Sequence, residues 1–297
     1  MPRQLMSFDY AAKDLLRNKA DHVIVEGLLT VLIGEHVTIT KVLESESNQG
    51  LANGKFNRVD MICESDKGEL ILFEIQQDYQ IDYFHRIAYG AEKAQTEYIS
   101  AGDNYGKLRR VYAITIAYFD LGQGSDYLYV GKTEFRSYHN PDSLLQLSDE
   151  QKKTYKIQTP SEIFPIYYII KVNQFDKIAT TPLDEWINFL KTNEIKDDTT
   201  VPGLREARER LEVAKLSFEE RRMYDKYVDD IRSAKSILDS HYNLGIFRGE
   251  KQGIEKGIKI GVQNRSLEIA RNLKKSGVPA DVIAQSTGLS VEEIMGL

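Results

Sequence analysis

The sequence predicts an α/β protein: a mixed β-sheet flanked by helices, followed by a helical C-terminal extension. Three observations support this prediction. Helix-like and strand-like patterns alternate up to Val172, a hairpin signal joins two of the strands, and the chain after Pro182 is helical in character. Alternation of this kind is typical of a sheet that is covered by helices.

The first elements lead to a hairpin. Residues 8–34 carry the apolar spacing of one or two helices, with a break around residues 18–21. "VTITKVLESES" then alternates like a strand. Two further strands, "FNRVDMICES" and "ELILFEIQQ", are joined by "DKG", which predicts a hairpin turn with Gly68 in it.

The next elements complete the predicted sheet. "DYFHRIAYGAEKAQTEYISAG" predicts a long helix that ends near Gly102, and "RRVYAITIAYFD" is the β-branched and aromatic run of a buried strand. Further strands are expected at residues 127–135 and 164–172. The segment "LDEWINFLKT" and the charged residues 204–238 are expected to be helical.

We expect three parts along the chain: a core domain at 1–200, a charged helical segment at 201–244, and residues 245–297. Glycine recurs every fourth residue from Gly245 to Gly261. On a helix these glycines form one stripe, and each costs about 0.5–1 kcal/mol relative to alanine. Two interpretations stay open. The stripe and the C-terminal helices form a contact between copies of the chain, or a weak helix links two modules.

The C-terminal end predicts a small helical module. Gly277 suits a helix C-cap, Pro279 a helix start, and Ser290 with Glu293 a capping box. A helix-turn-helix that reads DNA is one interpretation. An oligomerisation or packing module is favoured, because the last helix opens with two glutamates and stops at Leu297.

The composition excludes several classes of protein. A formal net charge of −6 argues against non-specific nucleic-acid binding over the whole surface, although it allows a local basic groove. The single Cys63 cannot form an intramolecular disulfide, and no Cys/His cluster has zinc spacing. The sequence has no signal-peptide pattern and no apolar run of ~18 residues, so we expect a cytoplasmic protein that does not contact membranes.

The hairpin carries two acidic residues at matching positions. With a turn centred on Lys67, Asp60 and Glu74 are equally distant from the turn and would lie opposite each other. Paired carboxylates suit Mg²⁺, and Gln76 projects to the same face as Glu74. The alternative is a solvent-facing pair, with Arg58 as an ion-pair partner on that face.

The strings "LESESNQ", "KFNRVDMICES", "GELILFEIQQ" and "DYFHRIAYG" resemble the Rpn family of recombination-promoting nucleases, the PD-(D/E)XK nuclease family transposases. The downstream "YFDLGQGSDYLYVGKTEF", "PLDEWINFLK" and the Gly-repeat tail are similar to that family as well. The resemblance covers nearly the whole chain. It implies a restriction-endonuclease-like core.

The resemblance also implies roles for individual residues. Asp60 matches the metal-binding aspartate of the superfamily and Glu74 its second acidic ligand. Gln76 stands where the superfamily usually has lysine, which removes a fixed positive charge. Glu26 is the best match for the additional acid from the first helix, and Glu46 is a weaker candidate.

On the following helix, Arg86, Gln95 and Tyr98 are expected to line the substrate cleft. Arg86 either contacts phosphate in place of the missing lysine or forms a surface salt bridge. His85 is more typical of a surface or capping residue than of a catalytic base.

The function predicted on this basis is a Mg²⁺-dependent DNA endonuclease that could use Mn²⁺ instead of Mg²⁺. Asp60, Glu74 and Glu26 would hold the metal, and Gln76 would orient a water molecule. Promotion of recombination and association with mobile elements follow from the resemblance alone. The alternative is a catalytically weak or inactive DNA-binding or scaffold protein that keeps the nuclease fold.

Overall fold

The computed structural model describes residues 5–17, 22–45, 61–99 and 103–297. The chain divides into two compact units, Met1–Tyr224 and Asp225–Leu297, which are treated separately below. The described residues form nine α-helices and one six-stranded sheet. In chain order the elements are α1 (Phe8–Arg17), α2 (His22–Ile33), β1 (Ile39–Ser45), β2 (Met61–Ser65), β3 (Leu70–Gln76), α3 (Tyr83–Glu97), β4 (Val111–Ala117), β5 (Leu128–Gly131), α4 (Asp149–Tyr155), β6 (Ile166–Lys171), α5 (Pro182–Thr192), α6 (Leu204–Arg210), α7 (Phe218–Lys275), α8 (Ala280–Thr287) and α9 (Val291–Met295).

The sheet is mixed, as the sequence predicts. Its strand order is β1-β2-β3-β4-β6-β5. The pairs β1–β2, β2–β3 and β5–β6 are antiparallel, whereas β3–β4 and β4–β6 are parallel. Parallel neighbours need a crossover, and α3 provides it between β3 and β4. The carboxyl ends of three parallel strands therefore lie at one edge of the sheet.

The hairpin between β2 and β3 has the predicted register. Met61 pairs with Phe73, so both lie six residues from Lys67 at the centre of the turn. Gly68 adopts a φ of +75°, a conformation that glycine reaches without steric cost. The described pairing ends at Met61. Asp60 lies outside the described residues, so its position opposite Glu74 stays a prediction.

Helices cover both faces of the sheet. On one face, buried residues of the sheet pack with the buried alanines of α3; this cluster is formed by Ile62, Leu70, Leu72, Ala91, Ala94, Val111 and Ala113. On the other face, the ring of Phe73 lies 6.4 Å from that of Phe8 in α1. Phe8 in turn contacts Trp186 and Phe189 of α5. Because side chains alternate along a strand, the even-numbered residues of β3 point towards α3.

The charged segment and the glycine repeat belong largely to one helix. The helix expected at 204–238 is split, since α6 ends at Arg210 and α7 begins at Phe218. From there α7 continues without interruption across residue 244 and through the repeat. Apart from the backbone of α7 itself, a Cβ at any glycine of the repeat would meet no atom of the described residues within 4 Å. The contact between copies and the three-part division of the chain stay predictions.

The C-terminal helices follow the predicted caps. Gly277 has a φ of +77°, and the Ser290 hydroxyl accepts from the Glu293 amide at 3.2 Å. Ala270, Ile283 and Ile294 form a small buried cluster within this unit. The cluster gives α8 and α9 a packing role. In the part of the chain that the structure describes, no helix is long and apolar enough to cross a membrane.

Candidate active site

Glu74 is a buried carboxylate at the carboxyl end of a parallel strand. It is the fifth residue of β3, pairs with Thr115 of β4, and has only 3% of its surface exposed. It shares its face with Leu70 and Leu72, so the carboxylate points towards α3. A buried charge costs several kcal/mol unless a cation or hydrogen bonds compensate for it. The position therefore requires a partner.

Arg86 provides that partner. It is the fourth residue of α3, and its Nη2 lies 2.5 Å from Oε1 of Glu74. Its Nη1 donates to Oε1 of Gln80 at 3.2 Å, and its guanidinium lies 5.7 Å from the centre of the Tyr83 ring. The side chains of the pair are 25% and 4% exposed. The structure thus shows a largely buried ion pair where the sequence left phosphate contact and a surface salt bridge open.

Gln76 lies two residues further along the same face. Its Nε2 donates to the carbonyl of Asp78 at 3.2 Å. The side-chain amide of Gln76 carries no charge. Gln76 pairs with Ala117 of β4, and Ala117 pairs with Lys171 of β6. The strands thus bring Glu74 and Gln76 together at one edge of the sheet.

Asp9 is an acidic residue near this edge that the sequence reasoning missed. It lies in the first turn of α1, and its Oδ2 accepts a hydrogen bond from Nε2 of Gln77 at 2.7 Å. Gln77 directly follows β3. The available signal was an acid in the first turn of the first helix. Its approach to β3 depends on how α1 packs on the sheet, which the sequence pattern does not reveal.

Glu26 lies elsewhere. Its Oε1 accepts a hydrogen bond at 2.7 Å from the amide of Ile39, at the start of β1. Ile39 pairs with Ser65 beside the hairpin turn, at the amino end of β3. Glu74 is four residues further along β3 than Leu70, or about 13 Å. The structure does not bring Glu26 to Glu74, because the carboxylate instead satisfies a backbone amide.

Gln95 and Tyr98 lie at the opposite end of α3 from Arg86. Nine residues separate Gln95 from Arg86, which corresponds to about 13 Å along the helix. The Gln95 amide donates to the carbonyls of Arg109 and Ile163, at 3.1 and 2.6 Å. Tyr98 packs against the buried cluster between α3 and the sheet. These contacts connect α3 to its surroundings and do not place either side chain beside Glu74.

His85 is exposed on α3, in agreement with the interpretation as a surface residue. Glu46 and Arg58 lie outside the described residues.

A polar cleft of about 950 Å³ lies at the amino end of β3 and β4. Three of its basic side chains are paired with glutamates: Lys67 with Glu35, Arg109 with Glu64, and Arg110 with Glu69 and Glu162. None of the predicted site residues that the structure describes lines this cleft. Of the predicted site residues, Glu74 and Gln76 lie at the other end of β3, its carboxyl end.

A mixed sheet with helices on both faces, and an acidic residue on the third strand beside the parallel crossover, has the architecture of the restriction-endonuclease-like fold. The chain belongs to the PD-(D/E)XK nuclease family transposases, whose family model matches residues 6–241. No curated protein and no solved structure matches the chain in the corresponding comparisons.

Nucleases of the PD-(D/E)XK type generally use divalent metal ions. Among the described residues, no three acidic, histidine or cysteine side chains come together as a group that could hold a metal ion. Glu74 nevertheless fits as a ligand, since Mg²⁺ takes one or two carboxylates and fills its remaining positions with water and phosphate oxygens. The predicted second carboxylate, Asp60, lies outside the described residues.

Proposed function

We propose that the chain is a divalent-metal-dependent DNA endonuclease that hydrolyses phosphodiester bonds at the carboxyl end of β3. The observation that carries the proposal is the buried carboxylate of Glu74, at this position of a chain that belongs to a nuclease family. A buried ion pair contributes little more stability than apolar residues of the same volume, so packing alone does not account for this carboxylate. Mg²⁺ is the proposed metal, with Mn²⁺ as a substitute.

Asp60 and Glu74 are the proposed metal ligands. The register of the described hairpin supports the pairing, because its residues are placed symmetrically about Lys67. When bound, the metal would lower the pKa of a water molecule and stabilise charge on the leaving oxygen. Glu26 is left out of this proposal, because its carboxylate accepts a hydrogen bond from the amide of Ile39.

The other residues of the site act on water and phosphate. The amide oxygen of Gln76 would accept a hydrogen bond from the attacking water and so orient it towards phosphorus. Arg86 would contact a phosphate oxygen, a role suited to its paired donors. In the reaction the water oxygen forms a bond to phosphorus, the bond to the leaving oxygen breaks, and the leaving oxygen takes up a proton.

The test is nicking of supercoiled plasmid DNA with Mg²⁺ or Mn²⁺. Wild-type protein should cut, whereas Asp60→Ala and Glu74→Gln should each lower the rate at least ~100-fold, the size of effect seen when an electrostatic group is removed from an active site. Glu64→Gln is the matched control. Glu64 lies on the same hairpin and also pairs with an arginine, at 2.9 Å, but it lies near the turn. The Glu64→Gln variant should therefore cut plasmid DNA at the wild-type rate.

Two results would contradict the proposal: no cutting by the wild type with either metal, or equal rates for all variants. The first result would favour a second function, a nuclease-fold protein that binds DNA or acts as a scaffold without cutting. The uncharged Gln76 and the ion pair on Glu74 support that alternative. It predicts that wild type and Glu74→Gln bind a fluorescent DNA duplex equally well. Promotion of recombination, or an association with mobile elements, is compatible with both the endonuclease and the non-cutting protein.

A further inference from the structure

Arg86 is paired with the same carboxylate that a metal ion would need as a ligand. Oε1 of Glu74 is 2.5 Å from Nη2 of Arg86, in direct contact. Mg²⁺ binds carboxylate oxygen at about 2.0–2.1 Å and demands near-octahedral geometry. A guanidinium and a divalent cation also repel each other at such distances. The two cations would therefore compete for this carboxylate.

The position of Arg86 is not explained by its own helix. Arg86 lies in the first turn of α3, where the positive end of the helix dipole disfavours a cation. The contacts with Gln80 and Tyr83 hold the side chain, but neither partner carries a negative charge. The carboxylate of Glu74 supplies the electrostatic attraction that favours this arrangement.

Lys171 is a second cation that the strand register places on this face, beside Gln76 at the same end of the sheet, and it has fixed partners. Lys171 is 2% exposed, and its Nζ donates to the carbonyls of Gly122 and Gly124 at 3.3 and 3.4 Å. Its ammonium also lies 5.7 Å from the centre of the Tyr129 ring. Arg86 differs because a quarter of its side chain is exposed and it pairs with a carboxylate rather than with backbone carbonyls.

We propose that Arg86 is a positioning residue with two alternating partners. It pairs with Glu74 when no metal is bound, and it turns to a phosphate oxygen of the DNA once the metal has taken Glu74. This inference rests on the proposed function. It adds that Arg86 lowers the apparent affinity of the site for metal, since only molecules with a released Glu74 can bind.

The test is the binding of Mn²⁺ to the full-length protein without DNA, measured by isothermal titration calorimetry. Arg86→Gln keeps a hydrogen-bond donor near Glu74 but removes the competing charge, and should bind Mn²⁺ at least about tenfold more tightly than the wild type. Arg86→Lys keeps the charge and should stay within about threefold of the wild type. Glu74→Gln should weaken binding. Equal or weaker binding by Arg86→Gln would overturn the inference.

A second variant tests the competition if Arg86→Gln does not fold. Gln80→Ala removes the neutral contact at Nη1 of Arg86 and leaves Glu74 unchanged. It should bind Mn²⁺ more tightly than the wild type, by a smaller factor, and unchanged or weaker binding would count against the competition.

The order of Mn²⁺ affinities tests the inference separately from the function. If Arg86→Gln binds Mn²⁺ more tightly and no variant cuts plasmid DNA, the competition stands and the nuclease proposal fails. If the wild type cuts DNA and the affinities of wild type and Arg86→Gln are equal, the nuclease proposal stands and the competition fails.

Discussion

Two glutamates of the same hairpin point to the same face of the sheet, and each pairs with an arginine. Glu64 and Arg109 are 2.9 Å apart near the turn, with side chains 26% and 35% exposed. Glu74 and Arg86 are 2.5 Å apart at the carboxyl end, with side chains 4% and 25% exposed. The chemistry of the two pairs is the same, and the burial differs. Burial makes the Glu74 pair costly to break and costly to keep, which is typical of a functional position.

The largest effect is expected from Arg86→Met. This change leaves the buried carboxylate of Glu74 without its compensating cation, so the free energy of unfolding should fall by about 3–5 kcal/mol. Urea denaturation followed by circular dichroism measures the change. The double variant Arg86→Met/Glu74→Gln should recover most of the loss, because it removes the stranded charge. A double variant as unstable as the single one would show that the arginine contributes by packing.

The comparison also shows how far the sequence alone could lead. The hairpin was predictable, because the turn at Lys67 fixes the register and the alternation of residues fixes the face of Glu74. The partner of Glu74 was not, since the contact with Arg86 depends on how α3 lies over the sheet. Glu26 was chosen because it interrupts an apolar helix, yet packing brings it to the amide of Ile39. Tertiary placement decided each of these contacts.

The long helix shows the same limit in another form. Five glycines at a cost of about 0.5–1 kcal/mol each predict a helix of low intrinsic stability. The helix α7 continues through all of them, and its stability stays a prediction. The boundary placed at residue 244 followed from the start of the glycine repeat at Gly245. Helical hydrogen bonding does not require such a repeat to begin at a helix end.

A second buried carboxylate, besides Glu74, sharpens the comparison. Asp184, only 1% exposed, accepts hydrogen bonds from Tyr127 at 2.7 Å and from Thr180 and Thr181 at 3.0 Å. Burial by itself raises the pKa of Asp184, but these hydrogen bonds outweigh it and lower the pKa well below the usual range. Asp184 thus accepts several hydrogen bonds besides its ion pair with the exposed Lys177 at 3.3 Å, whereas Glu74 is paired with the largely buried Arg86.

Asp184→Asn should therefore cost roughly 1–3 kcal/mol at pH 7, through weaker hydrogen bonds. Because the folded-state pKa is lowered, the stabilisation is fully present above the unfolded pKa of about 4 and is lost as pH falls below it. Urea denaturation of wild type and variant between pH 7 and pH 2 should show curves that converge at the acid end. A constant difference over this range would show that ionisation of Asp184 does not stabilise the fold.

The smallest effect is expected from breaking the pair near the turn. Arg109→Met removes a partly exposed ion pair, and pairs of this kind contribute about 0–1 kcal/mol. The free energy of unfolding should fall by no more than that, and the loss should shrink further in high salt because exposed charges are screened. Glu64→Gln should reproduce the effect, since either change removes the same pair. A loss as large as that of Arg86→Met would mean that burial does not distinguish the two pairs, and the argument that singles out Glu74 by its burial would no longer hold.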